Sequence, residues 1–463
     1  MKFEKIKLLS VNEKLSNVKE KKEKNYKTIV IKKKNKVIEK EKDKEESKVI
    51  EKEMDYELIV KNKDKNDIKV SIIMPSYNKY EYVSLSLHCL VGQTFDFSSF
   101  EVILVDDCSF DNTSHIPKEF NPPFKFKYVR PRKNQGRSRA RNLGIQLAEG
   151  EVIIFLDAEM LTEPNFIENH YKHHINDKNI VVSGAMHYRG IYTFLTSDFS
   201  SKQWEHIDDF VPRDPYFTFP FNEYKQNHQN SNQLFPLITK KDIDNKIFQN
   251  LSFPNWYFTK ELNNGLSNFG LDLSNYTLPY IAFLTGDVSV NRVLLDKVGY
   301  FDESFRGYGA EDWELGYRLY KNGARFLLDP STFCYHQEHP MSSNNFPEAM
   351  GNLHQFMKKS PDFDVLALAL EHLPALSFTQ IHYVVSQYNE LCEIHPFEYR
   401  EFKQTFHTML IKLVENLRDN KPTSKLHDCN TSSEVKILKQ LNEIKKLRLY
   451  ALTNSFEALL KSK

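Results

Sequence analysis

The chain has 463 residues, 40% of them hydrophobic and 27% charged, with 15 Gly and a net charge of +1 at pH 7. This composition excludes collagen-like and Gly-rich low-complexity chains, and a near-neutral balance excludes nucleic-acid binding through bulk charge. No apolar run reaches the ~18 residues of a membrane span. The start shows no apolar leader, and the Cys residues are scattered without a C-x-x-C; together these read as a cytoplasmic protein with no disulfide framework.

In chain order, residues 1–66 carry 21 Lys against 14 Asp and Glu, a net of +7, which leaves −6 for the rest. The segment lacks Gly and Pro, and its apolar residues are too sparse for sustained heptads. Residues 1–67 are therefore expected to be a Lys/Glu-rich arm, flexible or helical, with a tether to an anionic membrane surface as the sharper alternative. The texture changes at Ile68. Lys69–Pro75 reads as a buried strand entering a loop, Tyr80–Leu90 as a helix, and Glu101–Val105 as a second strand. Phe124–Val129 gives a third strand, Gly136–Leu147 a helix, and Glu151–Leu156 a fully apolar strand. This alternation predicts an α/β layer with a mostly parallel sheet. Residues 190–280 break the rhythm with dense aromatics, among them Trp204, Phe210, Tyr216, Phe217, Phe219, Phe221, Tyr224 and 256–258. The rhythm returns at Tyr280–Leu284, with a helix at Glu311–Asn322 and a last strand at Arg325–Leu328. From about 350 onward the spacing is helical.

The acidic residues fall at informative places. Asp107 and Asp157 follow the C-terminal ends of predicted parallel strands, where open α/β sheets bind ligands. Asp157 and Glu159 are one residue apart, so in extended chain both carboxylates face one side and could share a divalent cation. Residues 130–144 hold five Arg and one Lys at the start of a helix, a pattern that suits phosphate. Glu311 and Asp312 open a helix after a Gly-rich loop. Trp313 offers an aromatic plane that could stack on a sugar, and His336 and His339 follow the last strand.

As a set, these residues resemble the family 2 glycosyltransferases of GT-A fold. The carriers are Val70–Asn78, Val105–Ser109, the N-Q-G-x-S-x-A-R-N run 134–142, Phe155–Glu159, Gly307–Gly316 and Tyr335–His339. The last two motifs resemble the galactosyltransferase-like half of bacterial chondroitin-polymerase-type enzymes. The resemblance implies a GT-A domain at 68–345, with 190–280 as an acceptor-side insertion and 346–463 as a helical C-terminal region. It also implies roles. Pro75, Tyr77 and Asp107 would bind the uridine, Asn78 and Asp157 would also contact the donor nucleotide, and Arg137 would lie near the diphosphate. Asp157 and Glu159 would hold Mn²⁺ or Mg²⁺, with His336 as third ligand in preference to His339. Asp312 would be the catalytic base, Glu311 a neighbouring acceptor contact, and Trp313 an acceptor-side residue. Glu159 stands where the family usually has Asp.

The implied activity is inverting transfer of a sugar from a nucleotide-diphosphate sugar, UDP-linked by the resemblance, to a hydroxyl acceptor in polysaccharide or surface-glycan synthesis. A peptide or lipid-linked acceptor is the alternative, and an inactive GT-A-like binding protein is the alternative of another class. A sugar nucleotidyltransferase would need a Gly-rich loop after the first strand, where Pro75–Lys79 has no Gly. The expected partners are the donor and a carbohydrate or other hydroxyl acceptor. No nucleic acid and no transmembrane segment are expected, and the inner face of the membrane is left open as a peripheral location.

Overall fold

A computed structural model describes residues 22–23, 26–39, 48–61, 67–184, 189–254, 268–373, 376–423, 426 and 431–461, with side chains from residue 56 onward apart from 431–433. The main sheet runs in the order β1 (Lys22–Glu23), β2 (Tyr26–Glu39), β3 (Lys48–Lys61), β6 (Lys125–Pro131), β5 (Phe100–Asp106), β4 (Val70–Ser76), β7 (Val152–Leu156), β14 (Asp287–Asn291), β9 (Ile180–Ser183) and β15 (Arg325–Leu328). Strands β6, β5, β4 and β7 are mutually parallel, as are β9 and β15, while β14 runs antiparallel between β7 and β9. A second sheet has the order β13 (Ser252–Pro254), β10 (Arg189–Ile191), β16 (Cys334–Gln337) and β8 (Met160–Thr162), and β11 (Phe194–Leu195) pairs with β12 (Phe235–Pro236).

The apolar runs fill two faces because successive strand residues point in opposite directions. Ile73, Ile103, Val105, Ile153 and Phe155 join one core cluster, and Ile72, Met74, Val102, Leu104 and Ile154 join the other. The first cluster continues into the C-terminal helices through Phe356, Leu366, Phe406 and Phe456. The helix Arg137–Leu147 lies close on β4, because a Cβ at Gly144 would collide with Ile73.

Two expectations are corrected. The arm is not helical where it is described. β2 and β3 pair antiparallel along their length, and β3 residues 56–61 pair with β6, so the sheet begins before residue 68. The missed signal is a period of two: Tyr56 and Leu58 face the core, and Ile59 packs on the opposite side. The run at Tyr280–Leu284 is no strand. A 3₁₀ turn covers Pro279–Ala282, and the returning strand is β14. Most insertion aromatics build a core of their own. Phe217, Phe221 and Tyr224 are buried with Tyr192, Phe194 and Phe253, and Trp204 and Phe210 pack against them, while Phe219 and Tyr216 stay exposed. Positions 256–258 lie outside the described residues.

Candidate functional site

The loops after β4, β5 and β7 meet at one edge of the sheet. Pro75 is the penultimate residue of β4, Tyr77 is exposed and lies edge-on to Phe110 at 6.4 Å, and Asn78 adopts a left-handed φ of 53°. Asn78 pins the two loops together. Its N–H donates to Ser109 Oγ at 2.9 Å, and its side-chain oxygen accepts from the Phe110 N–H at 2.7 Å. The two acids at the end of β5, Asp106 and Asp107, divide their work. Asp106 is fully buried and accepts from Tyr128, Arg130 and the Ser109 N–H. Asp107 accepts from the Gln135 and Gly136 N–H groups, both at 2.8 Å. Asp107 thus holds the basic loop against the β5 end. Burial raises its carboxyl above the ordinary value, and the two N–H bonds oppose that rise.

Arg141 organises the centre. Its side chain is 2% exposed and donates to Glu311 Oε1 at 2.9 Å and to Asp157 Oδ1 at 3.1 Å. Arg137 lies one helical turn earlier on the same face, 3.8 Å from Glu311 and over the Tyr308 ring. Sequence reasoning chose Arg137 and passed over Arg141. The i, i+4 spacing within the 134–142 motif is the signal that could have found it.

Glu311 and Asp312 open the helix Glu311–Lys321. Asp312 does not cap it. Ala310 holds the cap position with no side-chain bond, and Asp312 Oδ1 accepts only the Trp313 N–H among the described contacts. Burial pushes the Asp312 carboxyl up, the Glu311 charge adds to this, and Arg141 opposes it, leaving a value of about 7. Trp313 donates its indole N–H to the Ile281 carbonyl and lies edge-on to Phe378, so its ring also packs the junction with the C-terminal helices.

The metal-type donors form a separate group. Glu159, His336 and His339 each offer an atom within 4.8 Å of the others, and Asp157, which binds Arg141, is not among them. Register explains the gathering. β16 pairs antiparallel with β8 so that His336 faces Met160, the neighbour of Glu159, and the Gln337 N–H donates to the Glu159 carbonyl. His336 Nδ1 donates to Glu338 Oε1 at 3.0 Å and His339 Nδ1 to the Pro340 carbonyl at 3.0 Å. Each bond fixes the orientation of its ring through Nδ1, as in sites where a second partner orients a metal-binding imidazole. His339 Nε2 lies 3.3 Å from Glu159 and Lys79 Nζ 3.9 Å from it. Burial pushes the Glu159 carboxyl up, but Lys79, His339 and His336 outweigh it and hold the carboxyl well below the usual range. One carboxylate and two imidazoles suit a divalent transition ion better than Mg²⁺. Lys79 was missed in the sequence, where it looked like an ordinary loop residue.

Residues 71–266 match the Glycosyl transferase family 2 model, and residues 267–340 match the N-terminal domain of galactosyltransferase. YfnE of Bacillus subtilis (strain 168), an uncharacterized glycosyltransferase, is 32% identical over 287 residues, 62% of this chain and 69% of that protein. The chain belongs to the family 2 glycosyltransferases. This glycosyltransferase has the GT-A fold, with the acids of the site at the C-terminal ends of β5 and β7. The chondroitin synthase of Escherichia coli is 28% identical over 333 residues, 70% of this chain but 44% of the synthase. That of Pasteurella multocida (strain Pm70) is 29% identical over 63% of this chain and 27% of its own length. The glycosyltransferase therefore spans less than half of either synthase. Among its described residues no helix is long and apolar enough to cross a membrane.

Proposed function

We propose that this glycosyltransferase transfers a sugar, with inversion, from a UDP-sugar to a hydroxyl of a polysaccharide or surface-glycan acceptor. The observation that carries the proposal is the carboxyl of Asp312. It stands at a helix start without capping it, with a value of about 7 set by burial and by Glu311. A base is most effective when its pKa lies near the working pH. Asp312 would accept the proton of the attacking acceptor hydroxyl, with Trp313 beside it on the acceptor side. Arg141 ties up Glu311 and Asp157, which leaves neither as a free nucleophile and favours a single displacement. Pro75, Tyr77, Asn78 and Asp107 would frame the uridine end, and Arg137 and Lys79 would face the diphosphate. Glu159, His336 and His339 would hold the divalent ion, which when bound neutralises charge on the departing diphosphate. The names of the chondroitin synthase relatives support a polysaccharide product.

The test is a screen of UDP-sugars with Mn²⁺, with and without chondroitin oligosaccharides and other glycan acceptors, repeated on Asp312→Asn. Transfer that requires Asp312 is expected. Donor binding without turnover on any acceptor would favour a GT-A-like binding protein instead.

A further inference from the structure

The segment that carries both histidines, residues 335–339, is braced from one side by the aromatic insertion. β10 pairs in parallel with β16, so that Gly190 faces His336. The Glu338 N–H donates to the Ile191 carbonyl at 2.8 Å, and Thr193 Oγ1 donates to Gln337 Oε1 at 3.0 Å. The last brace comes from the helix Ser201–Phe210, where Gln203 Nε2 donates to the His339 carbonyl at 3.0 Å. Gln203 is 3% exposed. A buried amide with its donor on a backbone carbonyl fixes that carbonyl, because leaving either group unpaired there is costly.

The two ends of this amide do different things. Gln203 Oε1 accepts from the N–H and hydroxyl of Ser200, closing a capping box at the start of its own helix. A Glu could serve that box equally well. Only Gln can also donate to the His339 carbonyl. The choice of amide over acid is therefore explained by His339 and not by the helix.

We infer that Gln203 is a positioning residue for the divalent ion, which fixes the backbone at His339 so that its imidazole Nε2 meets Glu159. The inference rests on the proposed assignment of Glu159, His336 and His339 as the ion's ligands. It gives the insertion a task at the donor side of the site, distinct from acceptor recognition. Gln203→Glu keeps the capping acceptor and sets a carboxylate oxygen against the His339 carbonyl oxygen, so repulsion replaces the bond and displaces the histidine.

The experiment measures Mn²⁺ affinity of the full chain in the presence of UDP, by calorimetry or by the loss of the free-ion spin-resonance signal, alongside thermal melting. Second partners of metal ligands typically account for ~10–100-fold in affinity. For Gln203→Glu we expect roughly tenfold weaker Mn²⁺ binding, the lower end of that range because the contact is to backbone. Ser200→Ala, which removes the cap but leaves the His339 bond, is expected to bind Mn²⁺ like the parent. Should Gln203→Glu fail to fold, Gln203→Met against Ser200→Ala makes the same comparison. Parent-like affinity in the folded Gln203 variant, or equal losses in the Gln203 and Ser200 variants, overturns the inference. If the parent and His336→Ala take up Mn²⁺ equally with UDP present, the ligand assignment itself fails, an outcome distinct from the other two.

Discussion

Asp312 and Arg141 are opposite cases of one buried charge network. For Asp312→Asn, turnover should fall by ~10²–10⁴ if the carboxylate is the base, with UDP affinity kept, since the proposed uridine contacts lie on other strand ends. Its stability effect has a definite sign. The folded-state value is raised to about 7, so the stability this carboxyl contributes is full below the unfolded value near 3.8 and is lost as pH rises to about 7. Asp312→Asn should therefore melt higher than the parent at pH 8 and show little advantage at pH 4. In the parent, the rate should decline as pH falls below about 7, as the base is protonated. A variant that loses stability at pH 8 would assign Asp312 to the structure instead. Arg141→Ala should act the other way, leaving Glu311, 3% exposed, without its nearer cation. Removing one partner of a buried pair costs about 3–5 kcal/mol, readable by urea melting. The sequence pointed to Asp312 through its motif. It did not show that Arg141 joins Asp157 to Glu311, because that contact spans 170 positions and depends on how closely the helix Arg137–Leu147 settles on β4.

Among the elements, the central strands were legible because each is a short apolar run ending in a polar loop. The strands the sequence did not reveal are short or charged. β14 reads Asp287-Val-Ser-Val-Asn291, and β3 is laced with Lys and Glu. In both, pairing with neighbours decides the outcome over local composition. The consequence for β3 can be measured. Tyr56 and Leu58 are 7% and 6% exposed in the main core, and withdrawing each costs roughly 1.5–3 kcal/mol. Deleting residues 1–61 should thus lower the melting temperature clearly and leave β6 as a bare edge prone to association. An unchanged melting temperature would show that β3 adds nothing to the sheet. The β8–β16 register carries a further expectation. Because it brings His336 and His339 to Glu159 alike, Ala at either position should weaken Mn²⁺ binding, although the sequence resemblance favours His336 over His339 as the third ligand.

At the scale of the whole molecule, the C-terminal helices are not an appendage. They share one apolar cluster with the sheet, and the helix Asn345–Lys359 also holds the loop that leads to Asp312. Gly307 and Gly309 in that loop have φ of 73° and 94°, and a Cβ on Gly307 would run into Glu348. Glu348 Oε2 accepts the Tyr308 N–H at 2.9 Å, and Asn352 Nδ2 donates to the Arg306 carbonyl at 2.9 Å and the Tyr308 carbonyl at 3.2 Å. The loop that leads to Asp312, the proposed base, is therefore held by a part of the chain beyond the residues matched by the two family models, which end at residue 340. Glu348→Ala removes one of these bonds without touching the core, at a cost of about 1 kcal/mol in stability. Its effect on the reaction should be larger, because a reacting group displaced by about 1 Å can lose about 10²-fold in rate. The expected result is a turnover ten- to hundredfold down, with UDP affinity and Mn²⁺ affinity unchanged. Glu348→Gln keeps an acceptor for the Tyr308 N–H and should recover most of the rate. If both variants turn over like the parent, the loop holds its shape through Asn352 and its glycines alone. If both lose UDP affinity as well, the C-terminal helices support the donor side in addition to the base.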